Sequence, residues 1–187
     1  MKNYWDKAIS FEEYLQIANQ RLKNPATPHD AEYKMYYELG IQRMDRTVKK
    51  FVIDEEQINE LTSKNFNGKI LIISEAWCGD ASATVPALAK FFEGHNEVKI
   101  FLRDSDKGLI NQFLTNGTES IPKVIILDEN FNVKNSWGPR PKFGHELLLK
   151  FKADPEAYPR ESFYNDLQVY YSRNRGKDAI QEILELL

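Results

Sequence analysis

A chain of 187 residues is long enough for one ordinary domain with additions and for a real hydrophobic core. Apolar residues make up 42% and charged residues 28%, the formal net charge is −3, and Lys and Arg are spread along the chain, which argues against a nucleic-acid partner. The opening MKNYWDKAISFEEYL carries acids early and no apolar signal segment, and no run reaches the roughly 20 residues of a membrane span, so no membrane is expected and a cytoplasmic protein is, one whose free thiol stays reduced.

Taken in order, Ser10-Phe11-Glu12-Glu13 reads as a capping box, with Ser10 as cap and Glu13 reaching back. Phe11, Tyr14, Leu15 and Ala18 then form one face of a helix that runs to about Lys23 and stops at Asn24-Pro25. A turn through Thr27-Pro28-His29 leads to a second helix, from about Asp30 to Arg46, with Tyr33, Tyr36, Tyr37, Ile41 and Met44 as its apolar stripe. This tyrosine cluster is read as a core face packed on the rest of the protein, the other reading being a binding surface.

Thr47 to Ile53 reads as a short first strand, and Asp54, with Gln57 three residues later, caps a helix to about Lys64. After a turn at Asn65-Phe66-Asn67-Gly68, Ile70, Leu71, Ile72 and Ile73 form a continuous apolar run, the pattern of a strand buried on both faces. Ser74 to Gly79 turn the chain off that strand, and from about Asp80 the spacing of Val85, Leu88, Ala89 and Phe92 predicts a helix. Cys78, the single cysteine, sits at this junction. A thiol at the first turn of a helix faces unpaired N–H groups and the positive end of the helix dipole, which favour the thiolate; the opposing reading is a small buried hydrophobe. Asp80 and Glu75 lie close in sequence and oppose the dipole, so the balance predicts a pKa between about 7 and 8.5.

Gly94 to Asn96 end the helix, Val98 to Leu102 give a second buried strand, and a short helix is expected from about Lys107 to Leu114. Beyond Asn116-Gly117, Pro122 stands at the first position of a strand from Val124 to Leu127, one of the few places a sheet tolerates proline. A turn at Asp128-Glu129-Asn130 returns the chain antiparallel from Phe131 to Trp137, and a helix follows from Lys142 to Lys152. Asp154-Pro155 and Tyr158-Pro159 mark a loop before two more helices, Arg160 to Arg173 and Lys177 to Leu187. Ser172-Arg173-Asn174-Arg175-Gly176-Lys177 is the densest basic patch, read as a solvated turn with anion binding as the alternative; it lacks the pattern of a phosphate loop. His29, His95 and His145 are too scattered to make a zinc site with one cysteine, so no metal is expected.

The segment from about Thr47 to Lys152 resembles the thioredoxin family. Trp77, Cys78 and Gly79 match the tryptophan, nucleophilic cysteine and glycine of its active-site turn; Pro86 matches the proline inside the following helix, Pro122 the cis-proline beside the sulfur, and Gly138 the glycine that ends the last strand. The resemblance implies an α/β thioredoxin fold, a central mixed sheet flanked by helices in the order βαβαβαββα, with helical extensions at residues 1–46 and 153–187 around a domain at 47–152. It implies Cys78 as catalytic residue and Trp77, Gly79, Asp80, Ile121 and Pro122 as the substrate-binding set, with the backbone of Ile121 free to pair with an extended peptide.

One departure is large. The family's second cysteine falls where this chain has Ala81, so the order Cys78-Gly79-Asp80-Ala81 looks most like a Trp-Cys-Gly-Asp branch that has lost its resolving thiol, and no intramolecular disulfide can form. The buried acid that many thioredoxins carry is replaced by Ile72. Two functions follow from this resemblance. The first is single-cysteine thiol–disulfide exchange with protein or low-molecular-weight disulfides, with no cofactor unless glutathione serves as thiol co-substrate; the second is a redox-inactive module holding an extended peptide between Trp77, Cys78 and Pro122.

Overall fold

The apolar run Ile70–Ile73 forms the centre of strand β1 (Lys69–Ser74), with all four side chains fully buried, in a computed structural model that describes residues 1–187. β2 (Val98–Leu102) pairs parallel to β1 on one side, β3 (Lys123–Leu127) pairs antiparallel on the other, and β4 (Val133–Trp137) pairs antiparallel to β3, giving the order β2-β1-β3-β4. Successive residues of β1 point to opposite faces. Ile70 and Ile72 join Ile100, Val124 and Ile126 in the larger core, and Leu71 and Ile73 join Phe101, Ile125 and Leu127 in the smaller one. A strand with a core on each face has no place for alternating polar residues, which is why this stretch reads as continuous.

Helices cover both faces. The larger core is closed by α2 (Phe11–Lys23), α4 (Lys34–Lys50), α6 (Ala81–Phe92) and α10 (Lys177–Leu184); the smaller one by α1 (Lys2–Lys7) through Trp5 and by α7 (Lys107–Ile110) through Leu109 and Ile110. The Ser10–Glu13 capping box forms as expected, and Asp54 caps α5 (Glu55–Ser63) by accepting from the Glu56 and Gln57 amides. α8 (Lys142–Ala153) and α9 (Arg160–Asn174) pack on each other through a third apolar cluster around Phe163, Leu167 and Tyr171. No helix is long and apolar enough to cross a membrane.

Several expected elements differ. The strand from Thr47 to Ile53 does not form: Thr47–Lys50 complete α4, and Phe51–Ile53 are irregular, with Val52 and Ile53 exposed. The outer edge of β2 is instead met by Ile9, whose N–H and C=O both bond to Ile100, so the sheet has four strands. The helix expected from Asp30 to Arg46 is two helices, α3 (Pro28–Glu32), begun by a capping box between Thr27 and Asp30, and α4, the two divided at Tyr33, whose backbone leaves the helical range (φ −89°, ψ 8°). The helix expected to Leu114 stops at Ile110, β4 begins at Val133 rather than Phe131, and α10 stops at Leu184.

α4 lies unusually close to the turn after β1. A Cβ on Gly40 would stand 2.2 Å from the carbonyl oxygen of Ala76, so any larger residue would push this helix away. Gly138, just beyond β4, has φ of +116°, and a Cβ there would meet the Pro122 carbonyl oxygen at 2.3 Å. The Ile121–Pro122 and Gly138–Pro139 peptide bonds are both cis.

Candidate functional site around Cys78

The turn Ser74–Asp80 carries the chain from the carboxyl end of β1 into α6, with Asp80 as the N-cap residue. The structure brings Trp77, Cys78, Gly79 and Asp80 together on one side of a cleft of about 630 Å³. Its other walls come from the added helices: Tyr33, Tyr36 and Arg43 at one side, Tyr164 and Gln168 of α9 at the other. Ile121 and Pro122 are buried and do not line this cleft; their link to it is the thiol of Cys78, which donates to the Ile121 carbonyl oxygen at 3.3 Å. The tyrosine cluster divides accordingly. Tyr37 is fully buried in the larger core, whereas Tyr33 and Tyr36 face the cleft.

Two buried polar networks fix the ends of the turn. At its start, the Tyr14 hydroxyl and Ser74 Oγ share a hydrogen bond of 2.8 Å, and Glu75, fully buried, accepts from Arg21 at 3.0 Å and from the Asp104 amide at 2.8 Å. Arg21 also donates to the Tyr37 hydroxyl, which in turn donates to Asp30. Burial pushes the Glu75 pKa up, with the Asp104 amide and Arg21 acting the other way. A buried acid therefore stands just before the motif even though Ile72 leaves the family's usual position apolar.

At the end of the turn, Asp80 does not cap α6 with its side chain. Its carboxylate instead pairs with Arg140, from the segment after β4, and accepts from the Tyr171 hydroxyl of α9 at 2.7 Å. Burial, then the Asp80 charge, drive the Tyr171 pKa well above the usual phenol range. The indole N–H of Trp77 and Nε of Arg140 are buried without a hydrogen-bond partner. The Arg103 guanidinium lies 5.0 Å from the Trp77 ring centre and holds the indole by a cation–π contact.

The acidity expected of Cys78 is overturned. The residue keeps part of its surface in solvent, but burial of the sulfur, with the Asp80 charge adding to it, pushes its pKa up to about 12. The Ala81 and Asp80 amides and Arg140 act in the other direction and are outweighed. Desolvation, which proximity in sequence does not reveal, is the largest contribution. Ala81 is fully buried in the larger core. No group of three or more His, Cys, Asp and Glu side chains is placed to hold a metal ion.

Arg21, Arg43, Arg140 and Tyr171 were not legible as site residues, because each arrives from a distant segment and has no local motif. Only a buried Asp in need of partners could have signalled two of them.

Comparison with known proteins agrees with this architecture. A family model described as thioredoxin matches residues 26–156. Among solved structures, a 1.5 Å crystal structure of a protein of unknown function from Pseudomonas aeruginosa is similar, with a TM-score of 0.58, 18% identity, and coverage of 95% of this chain and 96% of that one. An HIV epitope scaffold matches with the same TM-score and identity over 95% of this chain and 97% of its own. At that identity the likeness speaks to the fold alone. A search of curated proteins finds no match. With the family model covering more than half its length, the chain belongs to the thioredoxin family.

Proposed function

We propose that the protein is a single-cysteine thiol–disulfide exchange protein, working in a reducing compartment such as the cytoplasm, with Cys78 as its reacting group. The observation that carries the reading is the place of Cys78: a part-exposed residue lining a cleft, its thiol against the Ile121 carbonyl, in a chain with no second thiol. In the exchange, the Cys78 thiol first gives its proton to solvent. The thiolate attacks one sulfur of R–S–S–R′, forming the Cys78–S–S–R bond and expelling R′–S⁻, which takes up a proton. With Ala81 in the resolving position, an external thiol such as glutathione must attack the adduct, restoring the Cys78 thiol and releasing R with the incoming sulfur. Trp77, Gly79 and Asp80 shape the entry to the sulfur, and Ile121 and Pro122 support it from below.

A raised pKa makes this a slow exchange, since only the thiolate attacks. That same feature favours a second reading, a redox-inactive thioredoxin-like module of the Trp-Cys-Gly-Asp kind that holds a ligand in the cleft. Incubating the protein with insulin, without added reductant, separates the two. Exchange gives a disulfide-linked protein–insulin-chain species on a non-reducing gel that is absent with Cys78→Ser. A module gives none, although the unfolded protein still shows one alkylatable thiol.

A further inference from the structure

The basic run Ser172–Lys177 does not behave as one solvated turn. Lys177 pairs with Asp54 at 2.6 Å, but Arg173 and Arg175 turn toward α4. Arg175 takes a left-handed conformation, φ +54°, at the end of α9. Between α4 and α9, Arg175 meets Arg43, Arg46 and Lys50 around a pocket of about 80 Å³, Arg173 meets Arg43 and Arg46 in a neighbouring cavity of about 610 Å³, and no Asp or Glu lines either. None of these five side chains pairs with a carboxylate, whereas the internal arginines Arg21, Arg103 and Arg140 all do. Burial, and then the Arg46 charge, disfavour the charged form of Arg43. Five like charges gathered between two helices of a chain of net charge −3 make a local positive field that favours an anion beside them.

The pocket borders the cleft at Cys78. Arg43 and Gln168 belong both to it and to the cleft at the sulfur, and they stand over the active-site turn: a Cβ on Gly79 would meet Arg43 Nη1 at 3.6 Å and Gln168 Nε2 at 3.7 Å. We propose that the α4–α9 pocket is an anion subsite that holds the phosphate or carboxylate end of a small disulfide or thiol while its sulfur end reaches Cys78. This deepens the exchange reading and rests on it for the sulfur end alone; the anion end stands on the unpaired guanidinium groups, which suit oxyanions.

The test compares rates of adduct formation at Cys78 for coenzyme A disulfide (phosphates), oxidised glutathione (carboxylates), neutral 2-hydroxyethyl disulfide and cationic cystamine. At low salt the better of the two anionic disulfides should react faster than the neutral one by roughly tenfold, the factor that a single hydrogen bond to a charged group provides, and cystamine should be slowest. Which anionic disulfide leads identifies the oxyanion. In the double variant Arg46→Ser/Arg175→Ser, both exposed positions, the anionic-to-neutral ratio should fall to about one and lose its salt dependence, while the exposed control Lys152→Ser keeps the parent ratio. A ratio near one in the parent, or a ratio that survives in the double variant, overturns the proposal. If no disulfide reacts, the exchange reading fails, and calorimetry with inorganic pyrophosphate decides the subsite separately: binding that the double variant loses upholds it, and no binding by the parent overturns it.

Discussion

The hydroxyl of Tyr171 donates to the carboxylate of Asp80 at 2.7 Å, joining two residues 91 apart in sequence, so α9 is fastened to the N-cap residue of α6, beside Cys78. Both partners are buried. Removing one hydroxyl from a charged acceptor costs about 1.5–3 kcal/mol. Tyr171→Phe should lower unfolding stability by that amount in urea denaturation with little change in the slope, because the ring still fills its place in the cluster with Phe163 and Leu167. A loss below about 0.5 kcal/mol would mean that Asp80 finds another donor.

Asp80→Asn acts on the sulfur as well as on the fold. The carboxylate raises the Cys78 pKa, and without it Arg140 is left as an unopposed cation in the same site. The thiol should therefore become more acidic by about one to three units, read as faster alkylation by iodoacetamide at neutral pH. Breaking the buried pair should also cost about 3–5 kcal/mol of stability. Alkylation at the parent rate would show that the Asp80 charge does not reach the sulfur.

Cys78 gives the protein a pH dependence of defined sign. Its folded pKa, about 12, lies above the unfolded value, so the thiol contributes stability that is present below the unfolded pKa and is lost as pH rises through the folded one. From about pH 8.5, the unfolded cysteine value, upward, the parent should lose stability faster than Cys78→Ala, which carries the same tyrosines and lysines but no thiol. Equal slopes for the two would contradict the raised pKa.

What the sequence made legible, and what it hid, follows from the range of the interactions. Ile70–Ile73, the Ser10 and Asp54 caps, Val98–Leu102 and the helix after Cys78 are all set by neighbours within a few residues. Thr47–Ile53 has strand-forming residues, yet a strand needs an edge to pair with, and Ile9 takes that edge of β2. Asp80 and Glu75 were visible as acids near the thiol; that one would be neutralised by Arg140 and the other by Arg21 depends on contacts 60 and 54 residues apart. The desolvation that outweighs the helix N-terminus comes from the same long-range packing.

Ala81→Cys tests the placement of the turn. Cys78 lies two residues before the N-cap, but its carbonyl already accepts from the Ser82 amide at 3.0 Å, so the backbone is turned helically there, and residues three apart on such a turn lie roughly 5–6 Å from each other, within the Cα separation a disulfide accepts. The variant should form a 78–81 disulfide on mild oxidation, losing both alkylatable thiols, and should then catalyse reduction of a protein disulfide by dithiothreitol faster than the parent, whose adduct only the external thiol can resolve. Two thiols still free after oxidation would place position 81 away from the sulfur.

The central claim, that Cys78 exchanges with disulfides from the cleft, is tested most directly by intact mass after incubation with oxidised glutathione across neutral to alkaline pH. One glutathione per chain should form at Cys78, faster as pH rises, be removed by excess thiol and be absent with Cys78→Ser. An unmodified mass at every pH at which the protein stays folded, with the thiol still alkylatable after unfolding, would contradict it.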